Sequence, residues 1–353
     1  MPDDTTAQVT ATAGPLDEGT AEAVRRLAAR AMAEDRVAPL SEQPLLWLTD
    51  PEPPAVHLCA RNRAGELVGY AQADVGAATS ASAELVVDPA LRRTGIGTRL
   101  LGRLASEAAV VPGRTLRVWA HGDLPSARAF AGAAGMVVVR ELWRMSLDLT
   151  TPRQDRPLPQ GVTVRRFVPG QDEEAWRRVN SRAFAYHPEQ GRMTSNDLRA
   201  REAEPWFDPA GFLLAEREGT LLGSVWTKVH RADEDADETA DETADETAPG
   251  NAAGFAARDA DDAGASGSAV PVGEIYVVGV DPDAQGLGLG GALTALGLDH
   301  LAGLGLGTAI LYTGAENTVA IRTYSRLGFV KEAADVMFGY DTQGSRSGVT
   351  MGS

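Results

Sequence analysis

Val278-Gly279-Val280-Asp281-Pro282-Asp283-Ala284-Gln285-Gly286-Leu287-Gly288-Leu289-Gly290 decides the reading of this 353-residue chain. An apolar strand-like run ends at Asp281-Pro282, a glycine-rich turn follows, and residues 291–303 then read as a helix. Glycines let the backbone approach a ligand closely, and a helix start presents unpaired N–H groups and a positive dipole end. Together they suit a pyrophosphate. One such turn is weak evidence, because dinucleotide sites and plain helix starts use it too. Here it recurs: Leu85-Val86-Val87-Asp88-Pro89 leads into Arg92-Arg93-Thr94-Gly95-Ile96-Gly97-Thr98. Gly135-Met136 lies forty residues after Gly95, and Gly328-Phe329 lies forty after Gly288, so one offset of 193 superposes both landmarks. Two domains of one fold are the economical explanation.

Outward from each turn the halves read alike. Amphipathic helices at 21–34 and 171–184 come first, then strands at 57–61 and 67–73 in one half and at 212–217 and 221–230 in the other. After the turns come helices at 98–109 and 291–303, and then a strand and helix at 115–120 and 126–134, matched by 309–312 and 318–327. Strands at 136–149 and 329–340 close the halves. The expected class is α/β (α+β), each domain a mixed, mostly antiparallel sheet flanked by helices. The expected domains are 1–150 and 162–345, joined by a proline-rich linker at 151–161 and followed by a tail at 346–353. Within the second domain, residues 232–269 repeat Asp-Glu-Thr-Ala and continue into a Gly/Ala/Asp tract. This segment has too few apolar residues to offset ordering entropy and is expected to be a disordered loop insertion.

Composition removes several function classes. The net charge of −16 argues against nucleic-acid binding, although eleven of those charges fall between Ala232 and Asp262. No run approaches the ~18 apolar residues of a membrane span, and the acidic N-terminus does not resemble a signal peptide. The lone cysteine, Cys59, sits in an alternating apolar strand and reads as core; it permits neither an intrachain disulfide nor a cysteine metal cluster. His187 and His230 could be read as a base or a metal pair, but no third ligand has a sensible spacing, so no metal is expected. The expected setting is a reducing cytoplasm and the expected form a monomer.

The strand, Asp-Pro, Gly-rich turn and helix, repeated and followed by Gly-Phe or Gly-Met, resemble the GCN5-related N-acetyltransferases (GNAT) over nearly the whole chain. Ala38-Pro39-Leu40-Ser41-Glu42-Gln43, His187-Pro188-Glu189-Gln190-Gly191, Trp206-Phe207-Asp208-Pro209 and Trp226-Thr227-Lys228-Val229-His230 lie outside the generic motif. With Gly273-Glu274-Ile275-Tyr276-Val277, Leu311-Tyr312 and Asn317-Thr318-Val319-Ala320-Ile321-Arg322-Thr323-Tyr324, they are similar to a tandem-domain actinobacterial branch of that family. That branch acetylates the cysteinyl amine of cysteinyl-glucosaminyl-inositol. The acidic insertion departs from its pattern but falls between matching blocks.

The resemblance implies acetyl-CoA as co-substrate and a small-molecule amine as acceptor. Its cofactor residues would be Val278, Gly279, Val280, Gln285, Gly286, Leu287, Gly288, Leu289, Gly290 and Gly291, with Asn317, Thr318, Val319, Ala320, Ile321 and Arg322. In the first copy they would be Leu85, Val86, Val87, Arg93, Thr94, Gly95, Ile96, Gly97 and Thr98. Acceptor-binding candidates are Glu42, Glu189, Lys228, Glu274 and Tyr312.

Acetyl transfer to an amine needs a base, and an α-amine of pKa ~7.7–8.0 requires only a modest one. Glu274 opens the strand that runs into the turn and suits that role, although a strand-start glutamate is often simply polar surface. Tyr324, four residues before Gly328-Phe329, could protonate the leaving thiolate or could pack against the sheet. The resemblance assigns both catalytic roles, with backbone N–H groups near Val278 to Val280 at the carbonyl oxygen. The 193-residue offset maps Glu274 to Ala81 and Tyr324 to Ala131, so the first copy keeps a cradle without proton-transfer groups. Acetylation of another small amine, or acyl-CoA sensing without catalysis, are the competing readings.

Overall fold

Ala21, Val24, Leu27 and Ala31 recur at helical spacing and form the buried stripe of α1 (Glu18–Asp35), which Asp17 caps by accepting the Thr20 N–H. The computed structural model describes residues 7–185, 193–230 and 270–340. The expected insertion at 232–269 and the tail at 346–353 lie outside the described residues. The described chain divides into two units, one of residues 7–142 with 333–340, the other of 143–185, 193–230 and 270–332.

In the first unit β1 (Gln8–Ala13), β2 (Ala55–Arg61), β3 (Leu67–Asp74) and β4 (Ser80–Val87) pair antiparallel in sequence order. β5 (Thr115–Ala120) joins β4 in parallel, a pairing that needs a crossover, and α3 (Ile96–Ala108) supplies it. The short helix α2 (Glu42–Leu46) precedes β2, and α4 (Pro125–Ala133) leads into β6 (Met136–Asp148).

The second unit repeats the arrangement. β7 (Thr163–Arg166), β8 (Phe212–Arg217), β9 (Thr220–His230) and β10 (Val272–Val280) are antiparallel neighbours. α5 (Glu173–Ala183) and α6 (Ser195–Glu202) fall between β7 and β8. α7 (Leu289–Gly303) crosses over to the parallel strand β11 (Thr308–Gly314), and α8 (Thr318–Leu327) leads into β12 (Val330–Tyr340).

Both long final strands pass from one unit to the other. Val336 and Phe338 of β12 fill the core of the first unit, where β12 pairs antiparallel with β5. Met145 and Leu147 of β6 fill the core of the second. The unit boundaries therefore run through β6 and β12, and the proline-rich residues 151–161 belong to the second unit.

The two cores differ in kind. In the second unit Phe167, Phe212 and Trp226 stack with ring centroids 4.3 and 4.5 Å apart, and Trp176 of α5 meets Phe212 and Trp226 edge-on. The Trp176 indole N–H donates to Ser224 Oγ at 2.9 Å, so this large ring is buried without an orphaned donor. In the first unit the core is mostly aliphatic, with Tyr70 and Phe338 among its buried members, and Cys59 is buried in it as well.

Candidate active site

The turn at Gln285–Gly290 closes as its composition requires. Asp281 accepts the Asp283 N–H at 3.0 Å, holding a single turn of tight helix at Pro282–Ala284. Gly286 and Gly288 then take φ of +79° and +80°, a region that costs side-chain-bearing residues ~1–2 kcal/mol. A Cβ at either glycine would point into open space with no heavy atom within 4 Å. Gly288 is the N-cap of α7, so the first amides of that helix face the same open cradle. Asn317 caps α8 by accepting the Ala320 N–H at 3.1 Å, and α8 touches α7 where Thr323 lies 3.7 Å from a Cβ built on Gly291. Two helix starts therefore frame the cradle, and Val319 stands largely exposed at the second.

β10 explains how a site opens beside that turn. Its parallel pairing with β11 covers Gly273 to Ile275 and ends there, while its pairing with β9 continues to Val280. Between Ile275 and Val277 the β9 register slips by one residue, which makes Tyr276 a bulge. From Val277 to Val280 the β11 side of the strand is left without a parallel partner, and main-chain groups there can pair with a ligand. β4 leaves β5 at the matching place, after Ala83, but keeps unbroken register with β3.

The acceptor end lies at the start of β10. Glu274 is buried, and its Oε2 is 2.7 Å from His230 Nε2 on β9. Lys228 stands directly across from Glu274, two residues from His230 and on the same face. Its Nζ is 4.5 Å from the Trp206 ring centroid and 5.9 Å from that of Tyr276. Those rings also pack on Trp226, and Arg201 donates its Nε–H to the Tyr276 hydroxyl at 2.7 Å. A buried ammonium is thus held over aromatic faces, where the ring quadrupole offsets part of its desolvation. Tyr312 follows Ile310, the β11 partner of Glu274, by two residues and is half-buried.

Tyr324 is half-buried on α8, its ring edge-on to Phe329 at 6.0 Å. Burial pushes its phenol up to about 12, so it keeps its proton at neutral pH. Glu42 is a buried residue of α2 in the first unit, and Glu189 lies outside the described residues. The structure thus gathers Glu274, Lys228 and Tyr312 on adjacent strands of the second unit, and the middle strand, β10, runs on into the cradle built from Gln285 to Gly291.

In the first unit Gly95 has φ +86° with open space at its Cβ, but Arg93 takes the left-handed place held by Gly286, at φ +66°. A Cβ on Gly97 would meet the Phe130 ring at 3.4 Å. Ala81 and Ala131 are buried core residues.

Across β2, β3 and β4 of this unit His57, Gln72 and Glu84 stand opposite one another, where the second unit has Phe212, Trp226 and Val277. His57 Nδ1 and the Tyr70 hydroxyl are 2.6 Å apart, and burial pushes that imidazole down to about 4. Glu84 accepts the Ser41 N–H and hydroxyl, both at 2.6 Å, and lies 3.3 Å from His121. His121 is also 3.4 Å from Asp335.

Burial alone would lower the His121 pKa; the flanking carboxylates outweigh it and raise it to about 10. A raised folded-state value stabilises fully below the unfolded pKa of ~6.5 and is lost as pH climbs through about 10. Urea unfolding should therefore show stability falling between pH 7 and 10.5. His121→Gln, which leaves two buried carboxylates without their cation, should flatten that slope and lower the melting temperature.

The sequence reading weighed His230 only as a base or metal ligand and missed its bond to Glu274. The signal was there in alternation: Lys228 and His230 share a strand face, so a partner opposite one is diagonal to the other. The Tyr276 bulge and the polar row of the first unit carried no legible signal, because register depends on neighbouring strands. Among the described residues no cluster of three or more His, Cys, Asp or Glu side chains is arranged to hold a metal, and no helix is long and apolar enough to cross a membrane.

Comparison with known proteins agrees with this architecture. Residues 176–329 match the acetyltransferase (GNAT) family, and residues 53–133 match an acetyltransferase (GNAT) domain. A GCN5-related N-acetyltransferase from Sphaerobacter thermophilus superposes with TM-score 0.59 at 23% identity, covering 93% of this chain and 95% of that one. A tandem GNAT protein from the clavulanic acid biosynthesis pathway does so with TM-score 0.58 at 18% identity, covering 94% and 98%. Fold and site together define a tandem GNAT acyltransferase. The mycothiol acetyltransferase of Cellulomonas flavigena is 60% identical over 342 residues, spanning 96% of this chain and 90% of the relative. That of Sanguibacter keddieii is 51% identical, spanning 91% and 93%. The chain belongs to the mycothiol acetyltransferase family.

Proposed function

We propose that this chain transfers the acetyl group of acetyl-CoA to the cysteinyl amine of cysteinyl-glucosaminyl-inositol, giving mycothiol, in the cytoplasm and as a monomer. The observation that carries the reading is the buried Glu274 carboxylate, anchored at 2.7 Å by His230 where β10 and β11 part. Cradle amides from Gly286 to Gly291 would hold the pyrophosphate, and the free edge at Val278–Val280 would pair with the pantetheine arm. Glu274 takes a proton from the cysteinyl ammonium, directly or through a water, and the freed amine adds to the thioester carbonyl. Collapse of the adduct breaks the C–S bond, expels the CoA thiolate and releases the second nitrogen proton to solvent. A backbone N–H near Val278 stabilises the developing oxyanion. Lys228 and Tyr312 are the proposed acceptor contacts of this unit; Glu42 and Glu189 are acceptor candidates by resemblance.

Tyr324 faces the departing sulfur in this reading. An alkyl thiol titrates near ~8.5, so complete proton transfer from a phenol raised to about 12 runs uphill. Its contribution is a hydrogen bond to sulfur as charge develops, and the released thiolate takes its proton from solvent. Tyr324→Phe should therefore lower kcat by roughly 10- to 100-fold rather than abolish it, with the acetyl-CoA KM little changed. Steady-state thiol release read with a CoA-reactive dye checks this.

The first unit, with Ala81 and Ala131 at the proton-transfer positions, binds CoA through Arg93 to Thr98 and Leu85 to Val87 without catalysing transfer. Incubating the protein with acetyl-CoA and the cysteinyl pseudodisaccharide tests the whole proposal. Mass spectrometry should find a single acetyl group on the cysteinyl nitrogen. Acetylation of unrelated amines in preference to that substrate would refute it.

A further inference from the structure

We infer that His230 is a positioning residue for the base, a reading that rests on Glu274 acting as proposed above. Its Nε2 is 2.7 Å from Glu274 Oε2, in a pair whose side chains are 10% and 3% exposed. A hydrogen bond this short between an imidazole nitrogen and an ionised carboxylate requires the proton on Nε2, so His230 donates. The donation occupies Oε2 and leaves Oε1 to receive the proton of the acceptor amine. It also fixes the carboxylate rotamer at the place where β10 departs from β11. No bond of His230 is made or broken in the reaction: the amine proton goes to Glu274 and then to solvent.

The placement follows from the sheet. His230 is the last residue of β9 and pairs with Val272, diagonal to Glu274, while Lys228 holds the position directly opposite. The other ionisable groups at neighbouring strand positions are Lys228 on β9, Tyr276 on β10, whose hydroxyl accepts from Arg201, and Tyr312 on β11. Lys228 stands over the Trp206 ring, and His230 makes a hydrogen bond to this carboxylate. The first unit has Ala81 in the place of Glu274.

The test uses the full-length protein, with active sites counted by acetyl-CoA binding so that misfolded molecules do not enter kcat. His230→Phe keeps the ring volume without a donor. It should lower kcat on the order of tenfold or more, because a base out of line loses its near-attack geometry. The acid limb of the kcat/KM profile should move to higher pH, since the carboxylate loses a donor to its charged form. The acetyl-CoA KM should hold, and His230→Gln, whose amide still donates, should restore most of both losses. In the Glu274→Gln background, His230→Phe should cause no further loss. An unmoved pH profile in His230→Phe, or losses that multiply in the double variant, would overturn the inference. Full activity in Glu274→Gln alone would instead remove the base assignment, and this inference with it.

Discussion

Glu274→Gln should lower kcat/KM for the amine by roughly 10² to 10⁴, the range that general-base catalysis contributes. Glutamine preserves the shape of the side chain and can still contact His230, so folding and acetyl-CoA binding should survive. Only the capacity to take a proton disappears. The loss should shrink as pH rises above the amine pKa of ~8, because the acceptor is then already neutral. That convergence separates a missing base from a collapsed site, which would stay inactive at every pH. Rate profiles from pH 6 to 9.5 on wild type and variant provide the check.

Gly288→Val should weaken acetyl-CoA binding at the catalytic unit by on the order of 100-fold or more. Two effects act together. At φ +80° a β-branched residue is strongly disfavoured, so the N-terminal turn of α7 must shift. A valine side chain would also project into the open space where the helix amides receive an anion. Isothermal titration of acetyl-CoA should show one fewer site than the wild-type protein if both units bind the cofactor. Gly95→Val offers the matched change in the first unit, where φ is +86° and the Cβ is equally unobstructed.

Much of this was legible in the chain because the decisive features are local. Left-handed φ at Gly286 and Gly288 is written in residue type, as are the Asp281-Pro282 turn and the helix that follows. The 193-residue repeat predicted two copies of one fold, and the superposed glycines do carry the same backbone conformation in both. What escaped was set by tertiary neighbours. β1 and β7 are short and mostly exposed, without the apolar pattern that marks a strand, and the sequence reading passed over both. Nothing local announces that β12 completes the core of the first unit or β6 that of the second. The boundary suggested by Pro152, Pro157 and Pro159 reflects linker composition, whereas packing divides the chain within two continuous strands.

At the site the same division holds. Glu274 and Tyr324 were picked from strand and helix position plus resemblance, but their environments needed the folded chain. Glu274 is held by His230, and Tyr324 is held in an apolar setting that keeps its proton in place. The first copy could be read as lacking the catalytic pair, with Ala81 and Ala131 in the places of Glu274 and Tyr324. That its sheet instead buries His57, Gln72, Glu84 and His121 could not, since these residues lie far apart in sequence and meet only across strands.

Product formation by the cradle variants tests most directly where acetyl transfer takes place. With acetyl-CoA near its wild-type KM, Gly288→Val should leave almost no acetylated cysteinyl amine by mass spectrometry. Full product from Gly288→Val, together with its disappearance in Gly95→Val, would put the chemistry in the first unit and contradict this account.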